Sequence, residues 1–246
     1  MGNENGEWIM RGLGENDPRR ISSPEQLIDA VNEAGFLPLF RSSAPGFSVE
    51  EKTAAFGWWS GDERVDPWEW RRLLADSKEV AYGKFFDKKA GFVSLKWFPD
   101  FANWRRDGYD FDSLWEDELA SYRQKKIMDL FAQGQELFSF DMRRKAGFGK
   151  EGEKNFEGVI TDLMMRTYLT IRDFRCRTNK QGLPYGWHVA VYQRPEDMWG
   201  YDFIASGYQR KPEESRRLIL AHLEARFPRV SPSQWNKIMG FGVRHG

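Results

Sequence analysis

Cysteine and histidine are scarce in this sequence: Cys176 is the single cysteine, and His188, His222 and His245 are the three histidines among 246 residues. One thiol excludes an intramolecular disulfide and a cysteine-rich metal site, and it fits a reducing cytoplasm. Three histidines so dispersed, without a nearby acid cluster, do not make a ligand set, so neither a metal nor a cofactor is expected. Net charge is missing as well. Lys plus Arg and Asp plus Glu number 37 each, so the molecule as a whole has no long-range field to draw it onto nucleic acid or an anionic membrane. Any such affinity has to come from a local patch. Long apolar runs are also lacking: nothing approaches the roughly 18 residues of a membrane span. The opening MGNENGEWIMRGLGENDPRR has neither the basic start nor the apolar run of a secretion signal. These absences lead us to expect a cytoplasmic protein with no membrane partner.

Aromatic residues, by contrast, are plentiful. They make up 15% of the chain, within a hydrophobic content of 40%, enough to bury a sizeable core. Four tryptophans crowd into GWWSGDERVDPWEWRR, residues 57–72. An indole buries a large apolar area and also offers a π face, so this stretch reads either as core or as a slot for a flat ligand. Asp66 followed by Pro67 is an N-cap with proline at the first helical position. On the helix that follows, Trp68 and Trp70 stand about 200° apart, on nearly opposite sides. At least two of the four are therefore expected in the core, and Trp58, Trp59 and Trp70 are the candidates for an aromatic pocket. Asp62 and Glu69, carboxylates beside it, are the candidate catalytic residues for hydrolysis of a glycosidic bond, although Glu69 also sits in a first turn where an acid favours the helix dipole.

Other helix starts are legible. Ser23 before Pro24 opens a stripe of Leu27, Ile28, Val31 and Ala34 that Gly35 stops, and Ser48 with Glu51 forms a capping box. Val80–Phe86 and Gly91–Val93 read as strands joined by a basic turn at Lys88 and Lys89. Ser94 is expected to cap a helix reaching Arg106, with Pro99 in its first turn, and Asp112 to Phe131 reads as one long surface helix ended by Gly134. Arg105 and Arg106 then stand at a helix C-terminus, as dipole-complementing cations or as a phosphate clamp.

Beyond Gly134 the order becomes specific. Ser139–Lys145 reads as a short helix, AGFGKEGE as a turn, and Lys154–Arg166 as a helix with Phe156, Val159, Ile160 and Leu163 on its core face. YLTIRDFRCR and WHVAVYQ alternate like strands, separated by TNKQGLPYG. Two helices followed by a hairpin is the winged-helix arrangement. Charge agrees with it: residues 139–194 hold eleven Lys or Arg against six acids. Duplex DNA presents one negative charge per roughly 1.7 Å. In such a module Lys154, Asn155, Glu157 and Thr161 would face the groove, and Arg172, Arg175, Arg177 and Lys180 on the hairpin would reach phosphates. Cys176, near Tyr168, Thr170 and Phe174 in the alternation, reads as a packing residue. AGFGKEGEK lacks the ending and the preceding strand of a phosphate loop.

The segment FSFDMRRKAGFGKEGEKNFEGVITDLMMRTYLTIRDFRCRTNKQGLPYGWHVAVYQRPEDMWG, with DPWEWRR and AYGKFFDKKAGFVSLKWFPDFANWRRDGYDFDS upstream, resembles the AlkZ-related proteins over about residues 22–225. To the AlkZ and YcaQ type DNA glycosylases the likeness is remote and architectural. The resemblance implies tandem winged-helix modules that hold DNA, and in the glycosylases excision of alkylated or crosslinked purine bases without a metal. Their catalytic signature, a Gln, an apolar residue and a second Gln or an acid in the N-terminal half, is not found here. Gln133-Gly134-Gln135 has glycine in the middle and lies at a helix end, so it reads as a solvated linker. The expected fold is α+β and mainly helical, with tandem winged-helix-type modules and short hairpins. Its parts are a flexible N-terminus over residues 1–21, a helical and hairpin half over 22–133, and a winged-helix module with terminal helices over 134–246. Three functions fit. The protein binds duplex DNA and acts on damaged bases in the manner of a glycosylase; it recognises DNA or a protein without catalysis; or it binds a flat aromatic small molecule.

Overall fold

The computed structural model describes residues 2–4 and 7–240; His245 lies outside the described residues. The chain forms two compact units, residues 1–98 with 216–246, and residues 99–215.

The first unit opens with a hairpin of β1 (Gly2–Glu4) and β2 (Glu7–Ile9). Residues beyond it are tied down by backbone bonds, from Leu13 N to Thr53 O at 2.8 Å and from Ile21 N to Lys52 O at 2.7 Å. Helix α1 (Pro24–Ala34) begins as its sequence dictates: Ser23 accepts from the Gln26 amide, and Gly35, at φ 78°, closes the far end on Val31 O. After β3 (Phe36–Pro38) comes the short α2 (Val49–Lys52). Its Ser48 hydroxyl accepts from Glu51 N and donates to the Glu51 carboxylate, whose other oxygen takes the Gly46 amide. The box thus closes onto the preceding loop rather than onto the Ser48 backbone. Helix α3 (Pro67–Ser77) is capped by Asp66. Strands β4 (Val80–Phe86) and β5 (Lys89–Ser94) are joined by Asp87 and Lys88, both left-handed at φ 47° and 64°, the pattern of a tight hairpin turn. The sheet runs β3-β5-β4, all antiparallel.

Helix α4 (Phe98–Arg106) leads out of this unit. Its start corrects the expectation for Ser94, which is spent as the last residue of β5, while Pro99 falls in the first turn. The second unit continues with α5 (Phe111–Glu116) and α6 (Tyr122–Met128), where one long helix was expected. The break has a local cause. Asp110 caps α5; Glu118 takes a left-handed φ of 59°; Ser121 and Gln124 then form a reciprocal capping box that restarts the helix. Strand β6 (Leu137–Phe138), helices α7 (Ser139–Lys145) and α8 (Phe156–Met165), and the long strands β7 (Thr170–Thr178) and β8 (Pro184–Gln193) follow. The sheet order is β6-β8-β7. Helix α8 starts two residues later than expected because Asn155 is left-handed, at φ 65°, so Lys154 and Asn155 precede the helix. Short helices α9 (Pro195–Trp199) and α10 (Tyr201–Ala205) lead to α11 (Pro212–Arg226), and α12 (Pro232–Met239) completes the first unit. There Phe47 meets Phe227 and Trp235 edge-on, each at 5.0 Å between ring centres.

The two units share an order. In the first, α1-β3-α2-α3-β4-β5 gives the sheet β3-β5-β4; in the second, α6-β6-α7-α8-β7-β8 gives β6-β8-β7. The fold of the described residues is thus mixed, helices with three small antiparallel sheets, the β1-β2 hairpin and the two three-stranded ones. No helix among the described residues is long and apolar enough to cross a membrane.

Candidate functional site

The β7-β8 hairpin is anchored at one end and bare at the other. Ile171, Val191 and Tyr192 are buried at its base, whereas every residue from Arg177 to His188 is exposed. Its tip is nonetheless well formed. Asn179 accepts from the amides of Gln181 and Leu183 through its side chain, and its backbone pairs with Leu183 and Gly182. Midway the register slips. Arg175 pairs with Val189 and Arg177 with Tyr185, so Gly186, Trp187 and His188 all face Cys176 alone. Gly186 absorbs the excess at φ 76°, a conformation that glycine enters freely. This places Cys176 near the bulge, half-buried with its thiol against Gly186 O at 3.6 Å, rather than in the packed interior expected from alternation.

The cations of this unit divide into two groups. Arg175 donates to Asp173 at 2.6 Å and to Glu136 at 2.7 Å, and Arg172 stands 3.4 Å from the same Glu136. Both guanidinium groups thus face carboxylates. Arg177 instead lies over the Phe140 ring at 4.3 Å, and Phe140 is stacked on Phe138, so its stem is braced while its residue stays exposed. Lys180 is exposed at the tip, and Arg143, Arg144 and Lys145 are exposed at the end of α7, Arg144 paired with Asp141. Lys154 donates to the carbonyls of Gly149 and Lys150, tying down its own loop, and Thr161 is half-buried on α8. Helix α8 carries Glu157 and Asp162 and no basic residue. The loop before it turns on itself: the amides of Gly149, Gly152 and Glu153 donate to carbonyls within the loop, which leaves them unable to cradle a phosphate.

The second unit also holds a buried ionic knot that no sequence motif announces. Arg106, 1% exposed, donates to Glu196 at 2.5 Å, to Tyr208 Oη at 3.0 Å and to Thr167 O at 2.7 Å, over the Tyr168 ring. Burial works to lower its pKa, but Glu196 and Tyr208 outweigh it and hold the guanidinium charged. Arg105 is buried too, over Trp104 at 4.5 Å, and burial pushes its pKa down to about 9. Both are interior residues, so neither a solvated helix end nor a phosphate clamp describes them. A cavity of about 350 Å³ lies beside the knot, lined by Phe111, Tyr168 and Tyr201 and by Asp110, Asp112 and Glu196 among others. Most of its acids have tasks: Asp110 caps α5, Asp129 pairs with Lys125, and Asp197 grips Arg194 with two bonds.

The tryptophan stretch resolves residue by residue. Trp58 and Trp70 are buried, with indole N–H groups donating to Thr53 Oγ1 at 3.0 Å and Glu63 O at 2.9 Å. Trp59 is 42% exposed, and Trp68 lies under the Arg71 guanidinium at 3.7 Å. Asp66, fully buried, accepts from the amides of Trp59, Gly61 and Trp68 and so ties the loop to the helix. Asp62 sits half-buried against Arg64, which holds its carboxyl down at about 2, and Glu69 is 3.6 Å from Arg72. Gln133 and Gln135 bond to each other around Gly134 in an exposed turn. His222 lies tilted against Trp97, 4.6 Å between ring centres, and bonds Ala34 O, while His188 is exposed on β8. Among the described residues no group of three or more His, Cys, Asp or Glu could hold a metal ion.

The model of a family described as AlkZ related matches residues 21–240. No curated protein and no solved structure matches the chain.

Proposed function

The chain belongs to the AlkZ-related family, and on that premise we propose that it binds duplex DNA through the β7-β8 hairpin of its second unit. The observation that carries this reading is the bare, basic distal hairpin, with Arg177 and Lys180 exposed on it. The shared element order and strand order of the two units support reading each as a winged helix, with this hairpin as the wing. The first unit's counterpart turns at Asp87 and Lys88, and its strands are largely buried, so the second hairpin is the one with reach. An acidic α8 makes a poor reader of a phosphate-lined groove. The load therefore falls on the wing and on the α7 end, Arg143 and Lys145.

Each phosphate neutralised contributes about −0.9 to the slope of log affinity against log salt. Arg177→Ala with Lys180→Ala is expected to flatten that slope by about two, measured by fluorescence anisotropy of a labelled duplex over a salt series. Arg175→Ala changes it less, because Glu136 and Asp173 already neutralise that charge. Binding that ignores salt, or none at low salt, would sink the reading.

A glycosylase-like activity finds support in the cavity lined by Phe111, Tyr168 and Tyr201, where aromatic faces stand beside the carboxylate of Asp112. A flipped base needs such a slot. Abasic-site formation on alkylated duplex, lost in Asp112→Asn, is the expected result; an inert wild-type protein at saturating DNA would leave recognition as the whole function.

A further inference from the structure

The distal wing is not merely basic. Leu183, Tyr185 and Trp187 are 62%, 51% and 91% exposed. A solvent-facing hairpin ordinarily carries charge and turn residues there, because bare apolar side chains on an open strand invite aggregation. The exposure of Trp187 has a definite structural cause. Three residues of β8, Gly186 to His188, face Cys176 alone, and the left-handed Gly186 lets the excess bow out of the ladder. A bulge of this kind re-aims the side chain it carries. The tip is ordered by the Asn179 turn, and the base is packed, so Trp187 is held out on a supported arm. Basic residues flank it: Arg177 pairs directly with Tyr185, and Lys180 lies in the turn.

We propose that Trp187, with Tyr185 and Leu183 beside it, is an apolar wedge that stacks into a base step of the DNA while Arg177 and Lys180 hold the adjoining phosphates. The proposal rests on the DNA-binding reading above and adds to it what the wing does on arrival. Charge complementarity selects the partner: an anionic polymer satisfies the cations, and among anionic polymers nucleic acid also offers flat faces for an indole. Proteins that insert apolar side chains meet a cost of a few kcal/mol in unstacking. That cost is smallest where the stack is already broken, so the wedge favours a duplex with an unpaired or missing base.

The test compares a matched duplex with one holding a single abasic site, each with a fluorescent purine analogue at the neighbouring step. Wild-type protein is expected to bind the abasic duplex about tenfold more tightly, the scale of one base–aromatic stack, and to quench the analogue. Trp187→Ala should lose the preference and the quenching while keeping the salt slope, and Trp187→Phe should recover part of both. If DNA is bound with a normal salt slope but Trp187→Ala leaves preference and quenching unchanged, the wedge is wrong and the DNA-binding reading stands. Failure to bind either duplex at low salt overturns both. Association with anionic phosphatidylglycerol vesicles that depends on Trp187, with no quenching on DNA, would assign the tip to a lipid surface and overturn the wedge.

Discussion

Single residues carry unequal weight here, and Arg106 carries the most. Its guanidinium is buried and meets Glu196, Tyr208 and Thr167 at once. Removing one partner strands the other charge, so Arg106→Met is expected to destabilise the protein by about 3–5 kcal/mol in urea unfolding. The double variant with Glu196→Gln should lose clearly less than the single one, since no lone carboxylate remains. A double variant as unstable as the single would assign the effect to packing alone. Asp66 is a second such point, holding three amides with one carboxylate. Its capping task was legible from Asp66-Pro67, whereas its grip on Trp59 and Gly61 was not, because those bonds depend on how the loop folds back. Nothing in the sequence separated Arg106 from Arg105 or from a solvated helix end either: the partners of Arg106 lie 61, 90 and 102 residues away.

At the scale of elements, local signals worked where a cap or a period decides structure. Ser23, Asp66 and Gly35 fix helix ends by satisfying backbone groups within four residues. The same logic broke the expected long helix, and the signal was present: Ser121 with Gln124 is a capping box in the middle of what charge and apolar spacing presented as continuous. Strands β7 and β8 were visible from alternation, but the bulge was not. Register is set between strands, and Gly186 reads equally well as part of a turn. This gives the bulge a test of its own. Gly186→Val places a β-branched residue at φ 76°, which costs about 1–2 kcal/mol locally, and either distorts the tip or straightens it. Protection of the tip amides against hydrogen exchange should fall while that of Val191 and Tyr192 persists; an unchanged exchange pattern would mean the bulge is not held by glycine.

The whole molecule shows a duplicated order that the sequence hides, because what repeats is the succession of elements and not the residues. The pairs α3 with β4-β5 and α8 with β7-β8 share neither composition nor length. The local excess of basic residues in 139–194 falls within the second unit of a chain of zero net charge. Burial of tyrosines ties stability to alkaline pH. Burial raises Tyr82 from 10.0 to about 12 and also raises Tyr168 and Tyr208. The folded state thus keeps a proton that the unfolded chain releases, so the contribution of Tyr82 is complete below pH 10 and is lost as pH rises through about 12. Urea unfolding followed from neutral pH upward should show stability falling across that window, by about 2–3 kcal/mol for this one hydroxyl. Tyr82→Phe should show a shallower fall. Equal slopes would mean that the hydroxyl finds water.

One consequence of the β7-β8 hairpin concerns what its tip can accept. A turn whose amides are satisfied by Asn179, and whose residues from Arg177 to His188 are exposed, carries little of the unit's packing. Lengthening it adds only loop-closure entropy, about 0.6 kcal/mol for each doubling. The tip is therefore the place where the β7-β8 hairpin can take on new residues while its buried base keeps its packing, and a hairpin of different length or chemistry is the variation this unit can carry at least cost.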